Sequence, residues 1–396
     1  MDELKKISIL SLEQATVLPY LTYRLAQDGM RVIRLEHPAY GDPNRFIGED
    51  RLGEERMNTY YLCINAGKEA LTLNLAEPEG RELLGRLLIE LDIDVFATNQ
   101  LPKNYAKLGI DYETLKGFKE NLIWAGVTGF GPERNEAAYD PILQARGGLM
   151  ELTGEPDDSP QVLGVPLPDM GTSEHAYGQI MKALYLRAVT GRGSRIDLSM
   201  LDSTTSWLTV PLTLSQSFGR HITRRGNTHQ FFAPVSVFPA SDGQIYLTLG
   251  NDKQWSNLAA IPGFESLADP AYERNAGRIA DVENLNRKIS TLTAKWKTAD
   301  LLKVFKEAGL AVEKISTIEE VAHDPYVAPN LLSSEDPKTG TRLTLAPPPV
   351  MTEFLKEQNQ RLKFPPRFGE HNEAIYGRTL GLSGETLADY KRRGII

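Results

Sequence analysis

Short apolar runs alternate with stretches of helical spacing up to about residue 200 of this 396-residue chain. The apolar runs are Ile7–Leu12, Val32–Leu35, Leu71–Leu75, Asp94–Ala97 and Leu122–Val127. The segment Glu77–Leu91 is one of the helical stretches between them. Strands that alternate with helices favour a parallel sheet, because each crossover helix can cover one face of the sheet. We therefore predict a large α/β domain with Rossmann-like alternation over residues 1–220.

Two function classes are excluded, one by the residues after the first apolar run and one by the charge balance. The chain continues with Glu13-Gln-Ala-Thr-Val-Leu18, whereas a dinucleotide-binding domain carries Gly-x-Gly-x-x-Gly there to approach the pyrophosphate. The chain has 44 Lys and Arg against 52 Asp and Glu, a net charge of −8. It therefore offers no positive field for nucleic acid.

The character of the chain changes beyond about residue 225. Apolar and polar residues alternate over 231–249 around Ser241-Asp242-Gly243-Gln244, which predicts a hairpin, and helices are predicted over Asp281–Trp296 and Ala299–Ala308. We predict a smaller α+β domain over 221–328. Proline and turn residues are frequent over 325–366, which indicates a long extended connection. Residues 329–396 are predicted to return to the large domain.

The start of the chain and its cysteine content predict a cytoplasmic location. Met1 to Lys6 lacks the charged, apolar and small-residue order of a signal peptide, and no apolar run approaches the ~20 residues of a membrane helix. The one cysteine, Cys63, cannot form an internal disulfide, which fits a reducing compartment. Because it lies in an apolar run, we predict a buried thiol. We expect no membrane and no nucleic-acid partner.

A series of motifs follows in fixed order along the chain. Asp169 lies in Gly164-Val-Pro-Leu-Pro-Asp169-Met-Gly-Thr-Ser173, before a helix predicted over Ala176–Val189. Further matching motifs are Gly41-Asp-Pro-Asn-Arg45, Tyr139-Asp140-Pro141, Thr190-Gly-Arg-Gly-Ser194, Gly226-Asn-Thr-His229 and Gly369-Glu-His371. Each motif is weak alone, but together they span almost the whole chain and are specific. In this order they resemble the motifs of family III CoA-transferases, the CaiB/BaiF and formyl-CoA transferase-like proteins.

The resemblance implies a covalent relay at Asp169. An aspartate of ordinary pKa near ~4 is already the anion that attacks an activated acyl group. Attack on a thioester would give an aspartyl anhydride, and returning CoA thiolate would give an aspartyl-CoA thioester. Gln14 and Asp140 fall at positions that the family places beside the nucleophile, and the amides of Met170 and Gly171 are candidate oxyanion donors.

The resemblance also assigns positions to CoA, which binds as a substrate; no metal and no permanently bound cofactor is expected. The predicted contacts are Ala15, His37, Leu73, Leu75, Asn99 and Lys107. Lys107 stands where the family often has arginine, so it keeps the charge but loses the bidentate fork. Arg45, Lys68 and Lys103 are further candidates for phosphate charge.

Alternatives remain open for the key residue and for the activity. Asp169 fits a helix N-cap, which is a purely structural role. Racemases that share the fold pair an aspartate with a histidine base, but here Tyr139 stands where that histidine belongs, and a phenol of pKa ~10 is a poor partner. A third alternative is a CoA-binding subunit that needs a paralogous partner.

Two segments resemble one branch of the family, and this resemblance implies the substrates. The opening over Glu13–Pro19 and the segment Gly53–Arg56 resemble transferases of aromatic or dicarboxylate metabolism. That resemblance implies succinyl-CoA as donor and an aromatic or substituted dicarboxylic acid, such as benzylsuccinate, as acceptor. Arg224 and Arg225 could pair with a substrate carboxylate. An interlocked dimer is expected, as a homodimer or as a hetero-oligomer with a paralogous chain.

Overall fold

The computed structural model describes residues 3–396, which form two compact units. The first unit contains residues up to 149, 162–220 and 325–396. The second unit contains residues 150–161 and 221–324. Each unit has a buried apolar core of its own, which is the physical mark of a domain.

The first unit is built on a six-stranded parallel sheet. Its strands and helices are, in chain order, β1 (Ser8–Leu12), α1 (Val17–Gln27), β2 (Arg31–Glu36), α2 (Thr59–Cys63), β3 (Lys68–Thr72), α3 (Pro78–Glu90), β4 (Val95–Thr98), α4 (Tyr105–Leu108), α5 (Tyr112–Phe118), β5 (Ile123–Thr128), α6 (Asp140–Arg146), α7 (Leu167–Thr190), β6 (Ser194–Ser199), α8 (Met200–Ser206) and α9 (Thr209–Phe218). The strand order is β3-β2-β1-β4-β5-β6, and every neighbouring pair is parallel. This is the doubly wound order, so the predicted α/β class is confirmed.

The central strands β1, β4 and β5 are largely apolar because the sheet is covered on both faces there, whereas the edge strand β6 is more polar and partly exposed. Ile9 packs on the face covered by α1 and α7, while its neighbour Leu10 packs on the face covered by α3. The chain reverses its direction of winding at β1, between β2 and β4. Ligands bind at such a reversal, beyond the carboxyl ends of the strands, because the adjacent loops diverge there.

The second unit combines a small antiparallel sheet with helices. Its elements are β7 (Val235–Ala240), β8 (Gly243–Thr248), α10 (Asp252–Ala259), α11 (Asn275–Ala280), α12 (Val282–Thr293), α13 (Thr298–Glu307), β9 (Ala311–Lys314) and α14 (Ile318–Ala322). The sheet order is β7-β8-β9. Antiparallel pairing of β7 with β8 confirms the predicted hairpin, whose turn is Ser241–Asp242.

Residues 325–396 contain more regular structure than the sequence predicts. They form β10 (Leu332–Glu335), β11 (Arg342–Leu345), α15 (Glu353–Glu357), β12 (Arg361–Leu362), a π-helix (Glu373–Thr379) and α16 (Gly384–Arg392). The three strands make a sheet of order β11-β10-β12. An extended connection over 325–366 is therefore the wrong description, because strands of two to four residues leave no periodic signal.

Two predicted boundaries are also wrong. The third strand begins at Lys68 and not at Leu71, because Lys68 is buried within the strand although lysine normally faces water. Helix α7 begins at Leu167 and not at Ala176; Pro168 fits its first turn, where no N–H is needed. Although α7 has 24 residues, neither it nor any other helix within 3–396 combines the length and apolarity that crossing a membrane requires.

The prediction of a buried thiol is wrong. Cys63 is the last residue of α2 and is exposed, while Tyr61 and Leu62 of the same helix are buried. Its Sγ donates to the carbonyl of Thr59 at 3.2 Å. A five-residue helix buries one face, and Cys63 lies on the other.

Candidate functional site

Asp169 occupies the first turn of α7. It is the third residue of the helix, and Pro166 is the N-cap residue without a side-chain capping bond. The N-cap role for Asp169 is therefore excluded. The buried hydroxyls of Thr172 and Ser173 donate to the carbonyls of Pro168 and Asp169, at 2.6 and 2.8 Å. Small polar residues thus complete the turn that carries Asp169.

The Asp169 carboxylate is half-buried and lacks a compensating charge. Among residues 3–396 it has no hydrogen-bond donor. Burial and, to a smaller extent, the negative charge of Asp140 together raise its pKa to about 7. The expectation of an ordinary aspartate pKa is therefore wrong. Without ligand, a substantial part of the Asp169 population is protonated at neutral pH.

Asp140 faces the start of α7 from the first residue of α6. It is buried, its Oδ1 accepts from Gln144 Nε2 at 2.6 Å, and its Oδ2 accepts from the N–H of Asp169 at 3.4 Å. Burial raises the pKa of Asp140, while these two hydrogen bonds act to lower it. Gln144 in turn accepts from the N–H of Leu163 at 2.8 Å, which ties α6 to the loop that leads into α7. The structure therefore brings two acidic residues together, and no basic side chain within residues 3–396 forms an ion pair with either.

The backbone amides that follow Asp169 are already used. The N–H of Met170 donates to the carbonyl of Pro166 at 2.9 Å. Gly171 lies one residue further into the helix, where the N–H points to the carbonyl four residues earlier. The prediction that these two amides hold an oxyanion is therefore wrong. A donor has to come from another element.

Gln14 and Ala15 form a tight turn at the carboxyl end of β1. The N–H of Gln14 donates to Asn99 Oδ1 at 3.2 Å, and Asn99 Nδ2 donates back to the carbonyl of Gln14 at 2.8 Å. The N–H of Ala15 donates to Asp42 Oδ1 at 3.1 Å, and the Ala15 carbonyl accepts from Asn44 Nδ2 at 2.5 Å. Ala15 has φ of 61°. That left-handed conformation is uncommon for a residue with a side chain.

This turn lies next to the start of α7. The Ser173 hydroxyl lies 2.5 Å from the carbonyl of Val17, two residues after Ala15, and 2.8 Å from the carbonyl of Asp169. One buried hydroxyl thus contacts the first residue of α1 and the backbone of Asp169. The structure therefore brings Gln14, Ala15, Asp140 and Asp169 into one region, which the sequence placed in three separate motifs.

A buried ionic network lies beneath the same turn. Its three acids and three bases, all at most 3% exposed, are Glu13, Glu36, Asp42, Arg34, Arg45 and Lys68. Arg34 contacts Asp42 at 2.7 Å, Arg45 contacts Glu36 at 2.6 Å, and Lys68 contacts Glu13 at 3.0 Å. The formal charges cancel. Arg45 and Lys68 are therefore internal and not free for phosphate, contrary to what the sequence suggested.

The charges of the network control the protonation of its members. Burial acts to raise the pKa of Glu13, but Lys68 and Arg34 outweigh it and the pKa is lowered. Burial lowers the pKa of Lys68 to about 8, against the opposing charge of Glu13. Opposite charges thus favour the ionised forms of Glu13 and Lys68, whereas Asp140 disfavours the ionised form of Asp169.

A model of CoA-transferase family III matches residues 4–372. The chain belongs to CoA-transferase family III. It is 33% identical over 383 residues to a succinate–glutarate CoA-transferase of Agrobacterium fabrum, which covers 94% of each chain. It is 28% identical to the succinyl-CoA:glutarate CoA-transferase of Homo sapiens, over 99% of this chain and 90% of the human one. The predicted family and enzyme class are thereby confirmed.

A solved structure agrees with the family III assignment. A CaiB/BaiF family protein from Brucella suis superposes with a TM-score of 0.82 at 31% identity and covers 95% of this chain and 99% of its own. The fold that carries Asp169 is therefore that of the family over nearly the whole chain.

The remaining residues predicted to bind CoA occupy diverse environments in this family III chain. His37 follows β2, is half-buried and stacks on Tyr40 at 4.5 Å; burial lowers its pKa. Leu73 and Leu75 have side chains in the core, and the N–H of Leu73 donates to the carbonyl of Glu36 at 2.8 Å. Lys107 is exposed on α4. A cavity of about 800 Å³ lies next to His37, lined by Pro38, Ala39, Thr72, Phe368 and Lys391 among others.

Arg224 and His175 both make hydrogen bonds within the protein. Arg224 donates to Glu151 at 3.0 Å and to the carbonyl of Asp158 at 2.8 Å, within the second unit. His175 shares a 2.6 Å hydrogen bond with Ser203 and stacks on Trp207 at 5.0 Å between centroids, which fits a structural histidine. Within residues 3–396, no three His, Cys, Asp or Glu side chains come together as metal ligands would.

Proposed function

We propose that this family III CoA-transferase moves CoA from succinyl-CoA to a small dicarboxylate through covalent intermediates on Asp169. The observation that carries the proposal is a half-buried carboxylate without a charge partner in the first turn of α7. An aspartate with a purely structural role in that position would accept a capping hydrogen bond from the helix backbone or form an ion pair. An unpaired one is available to attack an acyl group.

The proposed reaction has four balanced steps. The Asp169 carboxylate attacks the thioester carbonyl and the C–S bond breaks. CoA departs as the thiolate, and a mixed anhydride between the acyl group and Asp169 is formed. The thiolate attacks the aspartyl carbonyl, which releases succinate and forms an aspartyl-CoA thioester. The acceptor carboxylate attacks this thioester and displaces the thiolate again. The thiolate then attacks the acceptor acyl carbonyl, which frees Asp169 as the carboxylate.

Each step passes through an oxyanion, for which Gln14 is the proposed donor. The amides of α7 are occupied, whereas the Gln14 turn leads into α1, whose first residue Val17 contacts the Ser173 hydroxyl that also contacts the Asp169 carbonyl. Removing a preorganised donor of this kind typically costs on the order of 3 kcal/mol in transition-state stabilisation. Asp140 is proposed to keep Asp169 poised near neutrality, where a nucleophile can also be a good leaving group.

Mass spectrometry with hydroxylamine tests the covalent role directly. The protein is incubated with succinyl-CoA and hydroxylamine, and an aspartyl hydroxamate is expected at Asp169. Asp169→Ala is expected to give no adduct and to lose transfer activity. Asp300→Ala is the matched control, since Asp300 is an exposed aspartate in the first turn of α13. A hydroxamate at another residue, or none with any thioester, overturns the proposal.

An acceptor panel tests the substrate class. Glutarate is the expected acceptor because the relatives from Agrobacterium fabrum and Homo sapiens are named for it together with succinate or succinyl-CoA. The panel includes benzylsuccinate, which the resemblance of the opening segment suggests, and monocarboxylates of similar length. Transfer to monocarboxylates alone contradicts the dicarboxylate proposal.

The two alternatives give different results in the same preparation. A racemase exchanges the α-proton of a branched acyl-CoA with deuterium and forms no hydroxamate. A partner-dependent subunit gives neither result until an equimolar second chain is present. We propose instead that two copies of this chain associate, which is supported by apolar side chains exposed along α7 to α9, namely Tyr185, Val189, Trp207, Val210 and Phe218. Light scattering of the purified chain tests this.

A further inference from the structure

All four backbone polar groups of the Gln14–Ala15 turn are held by side chains of two other loops. The side chain of Asn99, after β4, accepts a hydrogen bond from the N–H of Gln14 and donates one to the carbonyl of Gln14. After β2, Asp42 accepts a hydrogen bond from the N–H of Ala15, and Asn44 donates one to the carbonyl of Ala15. We call the side chains of Asp42, Asn44 and Asn99 the clamp. Loops at protein surfaces usually leave such groups to water. Here the turn is clamped between the two neighbours of β1.

The clamp holds a conformation that Ala15 would not favour by itself. Its φ of 61° brings Cβ close to backbone atoms, which is why glycine normally occupies such positions. A conformation of this kind persists only where the surroundings impose it, and it is often found at functional sites. Without the clamp, the turn would relax and move the side chain of Gln14.

The two halves of the clamp differ in what else they do. Asp42 also accepts from Arg34 within the buried network, so its loss would disturb the fold. Asn99 is half-buried, and both of its amide atoms bond the same residue, Gln14. Asn99 therefore lends itself to a test of the turn without damage to the network.

We infer that Asn99 is a positioning residue, which fixes the Gln14 turn against the start of α7 and thereby aims the Gln14 amide at the acyl group on Asp169. This inference rests on the proposed function of Asp169. It gives Asn99 a role that acts through Gln14, in place of the direct CoA contact expected from the sequence.

Steady-state and single-turnover kinetics of Asn99→Ala test the inference. We expect kcat to fall about 10- to 100-fold, since a displacement of about 1 Å at a reacting centre has that effect. The KM for acyl-CoA and the dissociation constant of CoA are expected to change much less than kcat, because Ala15 is the one other predicted CoA contact in the turn, whereas His37, Leu73, Leu75 and Lys107 lie outside it. A direct CoA contact gives the opposite pattern, a raised dissociation constant with kcat preserved, and that result overturns the inference.

A second substitution provides a rescue that a lost CoA contact cannot show. Ala15→Gly removes the Cβ that disfavours the left-handed conformation, so the turn holds its shape with less help. The double variant N99A/A15G is therefore expected to recover part of the lost kcat. Asn257→Ala is the matched control, because Asn257 is a half-buried asparagine of α10 whose Nδ2 donates to the carbonyl of Ala308 at 2.9 Å.

Hydrogen exchange separates failure of the clamp from failure of the proposed function. The Gln14 amide is expected to exchange faster in Asn99→Ala than in the wild type, whatever reaction the protein catalyses. Unchanged protection of that amide overturns the clamp. Faster exchange in the variant, combined with a wild type that forms no hydroxamate, contradicts the covalent role of Asp169 and, with it, the catalytic part of the inference.

Discussion

The first unit buries charge in two contrasting ways. Beneath the Gln14 turn, three acids and three bases contact one another, and the network is neutral. At the start of α7, Asp140 and Asp169 lie together without a base. The first arrangement stabilises ionised groups, and the second raises the free energy of an ionised pair.

The difference shows what each region contributes. Balanced charges hold loops in place, since Asp42 joins the network to Ala15. Unbalanced charge makes a carboxylate reactive at a cost in stability, a common trade-off at active sites. Substitutions that alter either balance therefore separate structural charge from functional charge.

The largest effect is expected when the balanced network loses one charge. Arg34→Met leaves Glu13, Glu36 and Asp42 short of a cation in the interior, and the free energy of unfolding is expected to fall by about 3 to 5 kcal/mol. Urea unfolding at pH 7 measures this change. A loss below about 1 kcal/mol would mean that water enters the network.

Arg31→Met is the matched control on the same strand. Arg31 pairs with Glu69 at 2.8 Å, but both side chains are partly exposed, at 38% and 19%. Loss of a surface pair typically costs about 1 kcal/mol or less. The contrast between neighbouring arginines of β2 isolates the effect of burial.

A smaller effect of opposite sign is expected for Asp169→Asn. Because the folded pKa of Asp169 is about 7, above the ordinary value of 3.8, the native state holds its proton more tightly than the unfolded chain. Stability from this group is present below about pH 4 and is lost as pH rises through 7. Asparagine does not ionise, so the variant does not lose this stability as pH rises. Its free energy of unfolding at pH 8 is therefore expected to exceed that of the wild type by on the order of 1 to 3 kcal/mol. If the variant and the wild type differ in free energy of unfolding by the same amount at pH 5 and at pH 8, the raised pKa is contradicted.

The smallest effect is expected for Asp140→Asn, measured in the pH dependence of kcat/KM. The acid limb of the wild-type profile is expected near pH 7, where free Asp169 ionises. Removal of the Asp140 charge is expected to move that limb to lower pH. It should stay above the ordinary aspartate value near ~4, because burial is the larger cause. An unshifted limb would show that the two carboxylates do not interact.

The sheet was predictable because its signal is local. Apolar runs mark β1, β2, β4 and β5 to within one or two residues, since a strand covered on both faces must be apolar. The start of β3 was missed because Lys68 is buried by virtue of Glu13, which lies 55 residues away in the chain. No local pattern contains that pairing.

The sequence named Asp169, Gln14, Ala15 and Asp140 as candidate site residues but could not give the interactions among them. Asp169 was found through a family motif, but its raised pKa depends on burial and on Asp140, 29 residues earlier. The clamp on Gln14 and Ala15 comes from Asp42, Asn44 and Asn99, which meet only because β2 and β4 flank β1. Residue types could not reveal it, since asparagine and aspartate are ordinary in loops.

The final segment of the chain has a consequence for biosynthesis. Ile375, Tyr376 and Ile395 fill the core on the α3 face of the sheet, and the Tyr376 hydroxyl donates to the carbonyl of Thr72, 304 residues earlier. Strands β1 to β5 are therefore synthesised long before Ile375, Tyr376 and Ile395, which cover them on that face. The α3 face of the sheet therefore stays incompletely covered during translation until this late segment has been made.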